Sequence, residues 1–401
     1  GPLASIGIIV ALLTLAFTVN TGFPLTLILE LAGFEPAARA VEDYTLSGMV
    51  ERIFSIVGDA VRGLLGEGIM ASLIVEGVLG GVGAVLTFLP LIAIVSAGYA
   101  ILDDSGLLPR IAVGVHRALS TAGLSGHTVF PMITSFGCNV PGILAARTVL
   151  NPWERLKLIL TLPFIPCQAR LVVLLALAVG MGPLGGLYVI LSYLIALTTF
   201  IILNILLDKI SRRKRDVEIL LELPAVHAPF LRVIWWTTWS HVKHFLARAG
   251  TIILAASIII WFLTSFDTSL NHTTEITESI AGKLAALVSP TLSPLGLEGA
   301  QAIVIALSLI VGFIAKELVI ATLIVATGAE TIPEAISSLG LAPAQIAPLM
   351  VFITLYIPCL ATLATIYMES GSAKLALSVA ALMLTIAYIV SLLTYIVLQA
   401  F

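Results

Sequence analysis

Charge is what this chain has least of. Only 11% of its 401 residues are charged and 59% are hydrophobic, whereas an ordinary globular domain carries about 25% charged residues. With a mean hydropathy of +1.12, a soluble globular domain is excluded. Basic residues form one short cluster and no basic face, which excludes nucleic acid as a partner. Three cysteines, all within apolar stretches, exclude a secreted disulfide framework. No Gly-x-x-x-x-Gly-Lys-Ser/Thr sequence occurs, so these residues hold no P-loop. The six histidines include no His-Glu-x-x-His pattern, and the pair His241 and His244 reads as interfacial. Four Gln and five Asn lean toward a thermophile's composition. The opening Gly1-Pro2 resembles a protease-cleavage scar and is left out of the fold reading. Residues 3–19 lack a basic leader and a small-residue cleavage site, and read as a retained span rather than a signal peptide.

Long apolar segments take the place of charge. A helix needs roughly 20 apolar residues to cross the hydrocarbon of a bilayer. Such spans are predicted at about 3–20, 69–102, 156–180, 184–207, 248–266, 299–327, 346–368 and 374–399. The segment 127–150 is apolar but holds Gly137, Asn139, Pro141 and Gly142, and reads as two half-helices around a break. Residues 23–66 alternate short apolar runs with carboxylates, as interfacial amphipathic helices do. The expectation is an all-α polytopic membrane protein of about 8–10 membrane helices, including broken or re-entrant ones. Eight of the 20 Lys and Arg fall within 209–248, which places that loop in the cytoplasm. Trp235, Trp236 and Trp239 suit an interfacial belt, and the acid-rich stretch 267–298 fits the outside.

Each cysteine stands beside a helix breaker: Cys138 between Gly137 and Pro141, Cys167 after Pro166, Cys359 after Pro358. The last two share an Ile-Pro-Cys-x-Ala-x-Leu pattern 192 residues apart. A proline lacks a backbone donor and leaves a carbonyl unpaired. At membrane depth such a carbonyl is tolerated only inside protein or beside a hydrated cavity. A buried cysteine can also be plain core packing, but three beside three breaks look like the lining of a polar path. In each half a polar interruption precedes the Pro-Cys motif: Phe136-Gly137-Cys138-Asn139 in the first, Gly312 to Glu317 in the second. Paired interruptions in two halves mark a transporter's substrate site. The chain accordingly divides into an N-terminal span with interfacial helices (1–68), a first repeat (69–207), a cytoplasmic basic loop (208–247) and a second repeat (248–401).

Four ionisable residues lie in apolar segments: Glu76, Arg170, Lys316 and Glu317. A charge at mid-bilayer costs about 2.5–3.5 kcal/mol on insertion scales, so each needs a partner. Lys316 and Glu317 are adjacent and diverge by about 100° on a regular helix, so each must find a different partner or the helix must break there. An unbroken helix over 299–327 would also run about 43 Å, longer than the hydrocarbon. A break at Lys316-Glu317 is therefore expected, close to one of the three thiols. Ion pairing that merely knits the bundle is the other reading of all four. The glycines at 77, 80, 81 and 83 read as a small-residue helix-packing face.

These motifs resemble a known family. Gly83-Ala84-Val85-Leu86-Thr87-Phe88-Leu89-Pro90, Leu102-Asp103-Asp104-Ser105-Gly106, Gly137-Cys138-Asn139-Val140-Pro141 through Arg147, Pro163 through Arg170, Gly312 through Glu317, and Pro358-Cys359 through Glu369 resemble the membrane domain of FeoB-type ferrous-iron transporters. The resemblance runs through most of 70–399 in the right order. It implies a multi-pass prokaryotic plasma-membrane transporter for Fe²⁺, with two gate-like repeats forming the path. Path ligands would be Cys138, Cys167 and Cys359, followed by Asn139, Glu76 and Glu317. Lys316 and Arg170 would be gating or structural charges. Fe²⁺ is then the transported ion, and no cofactor is expected. That family usually carries an N-terminal GTP-binding domain and a helical spacer, neither of which lies within these residues. A trimmed chain and a stand-alone relative both fit this departure. Expected partners are Fe²⁺, the bilayer and a separate GTP-binding domain at the cytoplasmic face, with a homo-oligomer left open. No enzyme activity is expected. A nucleoside transporter is the alternative, with Phe136 and Tyr356 as aromatic surfaces, but the thiols favour metal. An intramembrane cysteine hydrolase would need a base beside its nucleophile, and no histidine lies deep in a span.

Overall fold

The helix over 185–211 is apolar on every side, with no polar stripe, the pattern of a segment surrounded by lipid or by other apolar helices. The computed structural model describes residues 44–399 apart from 67, 122, 180, 212–225, 270, 274–275, 315, 317 and 330–331, together with Thr14, Thr18, Val19, Gly22, Leu25, Ala37, Ala40 and Val41. Among the described residues there is no β-strand, only an isolated bridge between Phe266 and His272. In chain order the principal helices are α1 (Leu46–Leu65), α2 (Gly80–Asp104), α3 (Val129–Gly137), α4 (Asn139–Ala145), α5 (Gln168–Val179), α6 (Gly185–Ser211), α7 (Leu231–His244), α8 (Gly299–Val311), α9 (Leu318–Thr327), α10 (Pro343–Leu355), α11 (Leu360–Ser370) and α12 (Ala373–Gln399).

Six helical stretches among the described residues are long and apolar enough to cross a membrane: Ile69–Asp104, Pro152–Val179, Gly185–Ile210, Leu231–Ser265, Pro343–Ser370 and Ala373–Gln399. Two further pairs are sharply bent, Ile280–Leu295 with Gly299–Val311 at 111° and Leu318–Thr327 with Ile332–Ser338 at 57°, which raises the number to at most eight. The chain is an all-α, multi-pass membrane protein. The expected span 3–20 and the Arg212–Arg215 run lie almost wholly outside the described residues. Two differences from the sequence expectation stand out. The span expected from 248 is part of a helical stretch that begins at Leu231, because its Lys, Arg and His lower the hydropathy without interrupting the helix. The stretch 267–298, expected as an outer loop, contains a helix at Ile280–Val288. That helix is capped by the Ser279 hydroxyl, which accepts from Gly282 N–H at 3.1 Å.

Contacts divide the chain into two units, one of Gly1–Leu158 with Asn204–Ile258 and one of Ile159–Leu203 with Ile259–Phe401. A contact unit and a sequence repeat are different partitions, and the first does not measure the second. Within the first unit, α7 and α1 pack on α2. The glycine face of α2 is a close-packing surface as expected. A Cβ at Gly81 would stand 2.8 Å from Ser257 Cβ, and the Ser257 hydroxyl donates to Gly77 O at 3.1 Å. Trp235, Trp236 and Trp239 are exposed, consistent with an interfacial belt. Lys157 is fully buried, donating to Gly123 O and pairing with Asp208 at 3.3 Å. Within the second unit, α10 packs along α12 and against α5, and α8 packs on α9. Outside the spans, the Lys283 ammonium, bonded to the Asp267 carboxylate, holds that carboxyl below the usual carboxylate range, helped by the Thr268 N–H.

The break in 127–150 is confirmed and narrow. Helix α3 ends at Gly137, Cys138 alone is extended (φ −150°, ψ 132°), and α4 begins at Asn139. A proline ring clashes with the carbonyl four residues earlier, and for Pro141 that residue is Gly137. The two half-helices pack on each other. Gly142 makes this possible, since a Cβ there would collide with the Ser135 hydroxyl and lie 3.1 Å from Pro131 O. Gly142→Ala is therefore expected to cost about 1–3 kcal/mol, read as a lower thermal transition in detergent. Adding Ser135→Gly should recover part of the loss. An unchanged transition in the single variant would show that the hairpin tolerates separation.

Candidate functional site

The three cysteines occupy one and the same structural position. Each is the last non-helical residue before a half-helix begins: Cys138 before α4, Cys167 before α5 and Cys359 before α11. Their carbonyls accept the first helical bonds, from Gly142 N–H at 3.3 Å, Leu171 N–H at 3.2 Å and Leu363 N–H at 3.1 Å. Local chemistry dictates this geometry. The residue before a proline is pushed out of the α region, and Ile165, before Pro166, is extended (φ −69°, ψ 120°). Before Pro358 the chain leaves the helix at Tyr356 (φ −66°, ψ 174°). All three thiols are partly buried and none forms a disulfide. The Cys359 thiol lies 3.1 Å from the Thr362 hydroxyl.

The fourth break falls where the adjacent charges predicted it. Helix α8 ends at Val311 and α9 starts at Leu318, with Gly312, Phe313, Ile314 and Lys316 in turns. Glu317 lies outside the described residues. Gly312 is required here, because a Cβ would strike the Val319 side chain and stand 2.9 Å from Ser308 O. The break docks on the start of α11, where Leu360 N–H donates to Phe313 O at 2.9 Å. It thus lies beside Cys359.

Two buried cations hold these breaks together, and each donates to backbone carbonyl oxygen. Arg170, one turn after Cys167, donates from Nη1 to Pro163 O at 2.8 Å and from Nη2 to Tyr356 O at 3.0 Å. One guanidinium therefore ties the first Ile-Pro-Cys break to the second. Lys316 Nζ donates to Ile357 O at 2.6 Å and sits 3.2 Å from the centroid of the Tyr356 ring. Cys359 lies within electrostatic range of both Cys167 and Lys316, and Tyr193 of Cys167 and Arg170. Cys167, Cys359, Arg170 and Lys316 are thus brought together in the second unit.

The remaining candidates fall elsewhere. Cys138 and Asn139 belong to the first unit. Asn139 is 3% exposed, and its Oδ1 has no hydrogen-bond partner, an acceptor left open beside a thiol. Glu76 is half exposed, bonded to Arg62 at 3.2 Å and to the Ser72 hydroxyl at 3.1 Å. Among the described residues no three His, Cys, Asp or Glu side chains form a ready cluster for a metal ion. What the breaks offer instead is single thiols, carbonyls, hydroxyls and an amide oxygen. Sequence reasoning did not assign Tyr193 to this site, and it offered Tyr356 only as an aromatic surface for the nucleoside alternative, although Tyr356 stands next to Ile-Pro-Cys.

Comparison with known proteins decides the family. A family model described as "Gate: Nucleoside recognition" matches residues 85–181 and 246–373, more than half the chain and every thiol in it. The chain belongs to the Gate family. Its similarity to proteins named Fe(2+) transporter FeoB is extensive. The one from Methanocaldococcus jannaschii is 33% identical over 86% of this chain and 52% of its own length. The Staphylococcus aureus protein is 34% identical over 81% of this chain and 49% of its own. A protein of Porphyromonas gingivalis named as a fusion of Fe(2+) transport protein A with Fe(2+) transporter FeoB is 32% identical over 93% of this chain and 50% of its own. The chain spans about half the length of the curated relatives it matches. No solved structure matches. With these relatives and its apolar helices, this Gate protein resides in the prokaryotic cell membrane.

Arg170 is the structural test of the site. Its loss would leave Pro163 O and Tyr356 O bare in a buried position. Arg170→Met is expected to destabilise by about 3–5 kcal/mol, by analogy with breaking a buried charged network. Arg170→Lys should recover only part, since an ammonium cannot span two carbonyls as a planar fork does. Thermal unfolding in detergent reads both. A Met variant as stable as the parent would mean that the two breaks are held by something else.

Proposed function

We propose that this chain conducts Fe²⁺ across the prokaryotic cell membrane along its broken helices, with Cys138, Asn139, Cys167 and Cys359 as path ligands. The carrying observation is that all three thiols occupy one equivalent position, at the start of a half-helix where the regular backbone is interrupted. The names of the relatives supply the ion. A borderline divalent cation suits a mixed set of thiol, amide and carbonyl ligands. A path must also release its ion, so a few scattered ligands serve better than a closed cage. Glu317 is the carboxylate nearest in sequence to the break and the next candidate ligand. Glu76, half exposed and paired with Arg62, would act at the periphery. The chain acts as a transporter and not an enzyme. Energy would come from a GTP-binding domain docking on the basic loop around 209–248.

The nucleoside reading has less support. A nucleobase needs an open aromatic face, and the Tyr356 ring is already covered by Lys316.

Equilibrium binding of Fe²⁺, Zn²⁺ and uridine to the purified chain separates these readings. Fe²⁺ should bind saturably, and Cys138→Ser, Cys167→Ser and Cys359→Ser should each weaken binding and uptake while folded yield stays near the parent's. Parental uptake by the triple variant would sink the thiol path. Saturable uridine binding without Fe²⁺ binding would reinstate the alternative. The purified chain should also hydrolyse GTP no faster than background, since these residues contain no P-loop. Magnesium-dependent, saturable turnover would contradict this.

A further inference from the structure

Arg170 and Lys316 both bind freed carbonyls, but they are not equivalent. Arg170 bridges two carbonyls with a rigid planar fork from inside a regular helix. Lys316 sits in the turn between α8 and α9 and reaches its carbonyl on a flexible four-carbon stem. The residue is 2% exposed, and its ammonium is held at 2.6 Å by Ile357 O and at 3.2 Å by the face of Tyr356. A carbonyl oxygen and an aromatic face are general ligands for a small cation. The Cys359 thiol follows two residues after Ile357, and the Thr362 hydroxyl stands 3.1 Å from it. The Tyr356 hydroxyl is buried without a partner, near the Gly312 turn that leads to Lys316.

We propose that Tyr356, Ile357 and Cys359 form a cation-binding site whose resident cation is the Lys316 ammonium, and that the transported divalent cation enters it only when Lys316 withdraws. The proposal rests on the reading that the chain conducts a cation. Two like charges cannot share one carbonyl in a buried site, so tethered and travelling cations exclude each other. A cavity of about 20 Å³, lined by Val319, Ile320 and Leu323 of α9 with Ser308 and Leu309 of α8, adjoins the start of α9, the helix that follows Lys316. Lys316 therefore sets when the site is open and keeps its carbonyl satisfied while it is closed.

The test reads access to the site without using iron. In a chain carrying Cys138→Ser and Cys167→Ser, Cys359 is the remaining thiol. Its rate of modification by methanethiosulfonate ethylammonium, a small cationic thiol reagent, is measured in proteoliposomes. Lys316→Met should raise that rate by about tenfold or more, and Lys316→Arg, which keeps a cation able to stack on the ring, should return it toward the parent's. Should Lys316→Met fail to fold, Tyr356→Leu removes the aromatic face and leaves the lysine, and it should also raise the rate. A rate unchanged by the folded variant, whichever of the two is used, overturns the proposal. Fe²⁺ binding is then measured separately on the parent and the variant. Faster modification with no Fe²⁺ bound by either keeps the gated site and rejects iron as its cargo.

Discussion

Every feature of the second unit depends on one constraint: a backbone carbonyl freed inside a membrane protein must be given a donor. Pro166, Pro358 and the turn at 312–316 each interrupt a helix, and each interruption exposes main-chain oxygen. Pro163 O and Tyr356 O take the Arg170 guanidinium, Ile357 O takes the Lys316 ammonium, and Phe313 O takes the Leu360 amide. Arg170 and Lys316 are thus explained by the breaks, and these breaks are made tolerable by the two cations.

The same economy bears on transport. Carbonyls that accept a positively charged side chain are by nature ligands for a metal cation, and the thiols add a preference for softer ions. A cysteine at each break places sulfur where helical backbone gives way to irregular backbone. Scattered single ligands, rather than a closed cage, bind a cation loosely enough for it to move on. In the first unit the break at Cys138 is followed by Asn139, whose Oδ1 is buried and unmatched.

Much of this was legible because backbone rules act locally. Pro141 and Gly137 located the first break, and the geometry put it at the single residue Cys138. The adjacency of Lys316 and Glu317 required a second break, and α8 and α9 are separated there. What the sequence could not reveal was the identity of long-range partners. Arg170 reaches Tyr356 O, 186 residues away, and no periodicity encodes that pairing. An ion pair was the expected alternative for Arg170 and Lys316, whereas the acceptors described are carbonyls, which carry no sequence signature. Glu76, within an apolar span, is half exposed and pairs with Arg62 of the adjacent amphipathic helix α1. The early start of the helix at Leu231 was hidden by its polar residues, which suit an interface and mask a span in a hydropathy window.

The central claim is that freed backbone and the thiols beside it together make a metal path. X-ray absorption at the iron edge on the Fe²⁺-loaded, purified chain tests it most directly. Sulfur in the first coordination shell, lost when all three cysteines are replaced by serine, is the predicted result. A first shell of oxygen and nitrogen alone, identical in the parent and the triple variant, would contradict it.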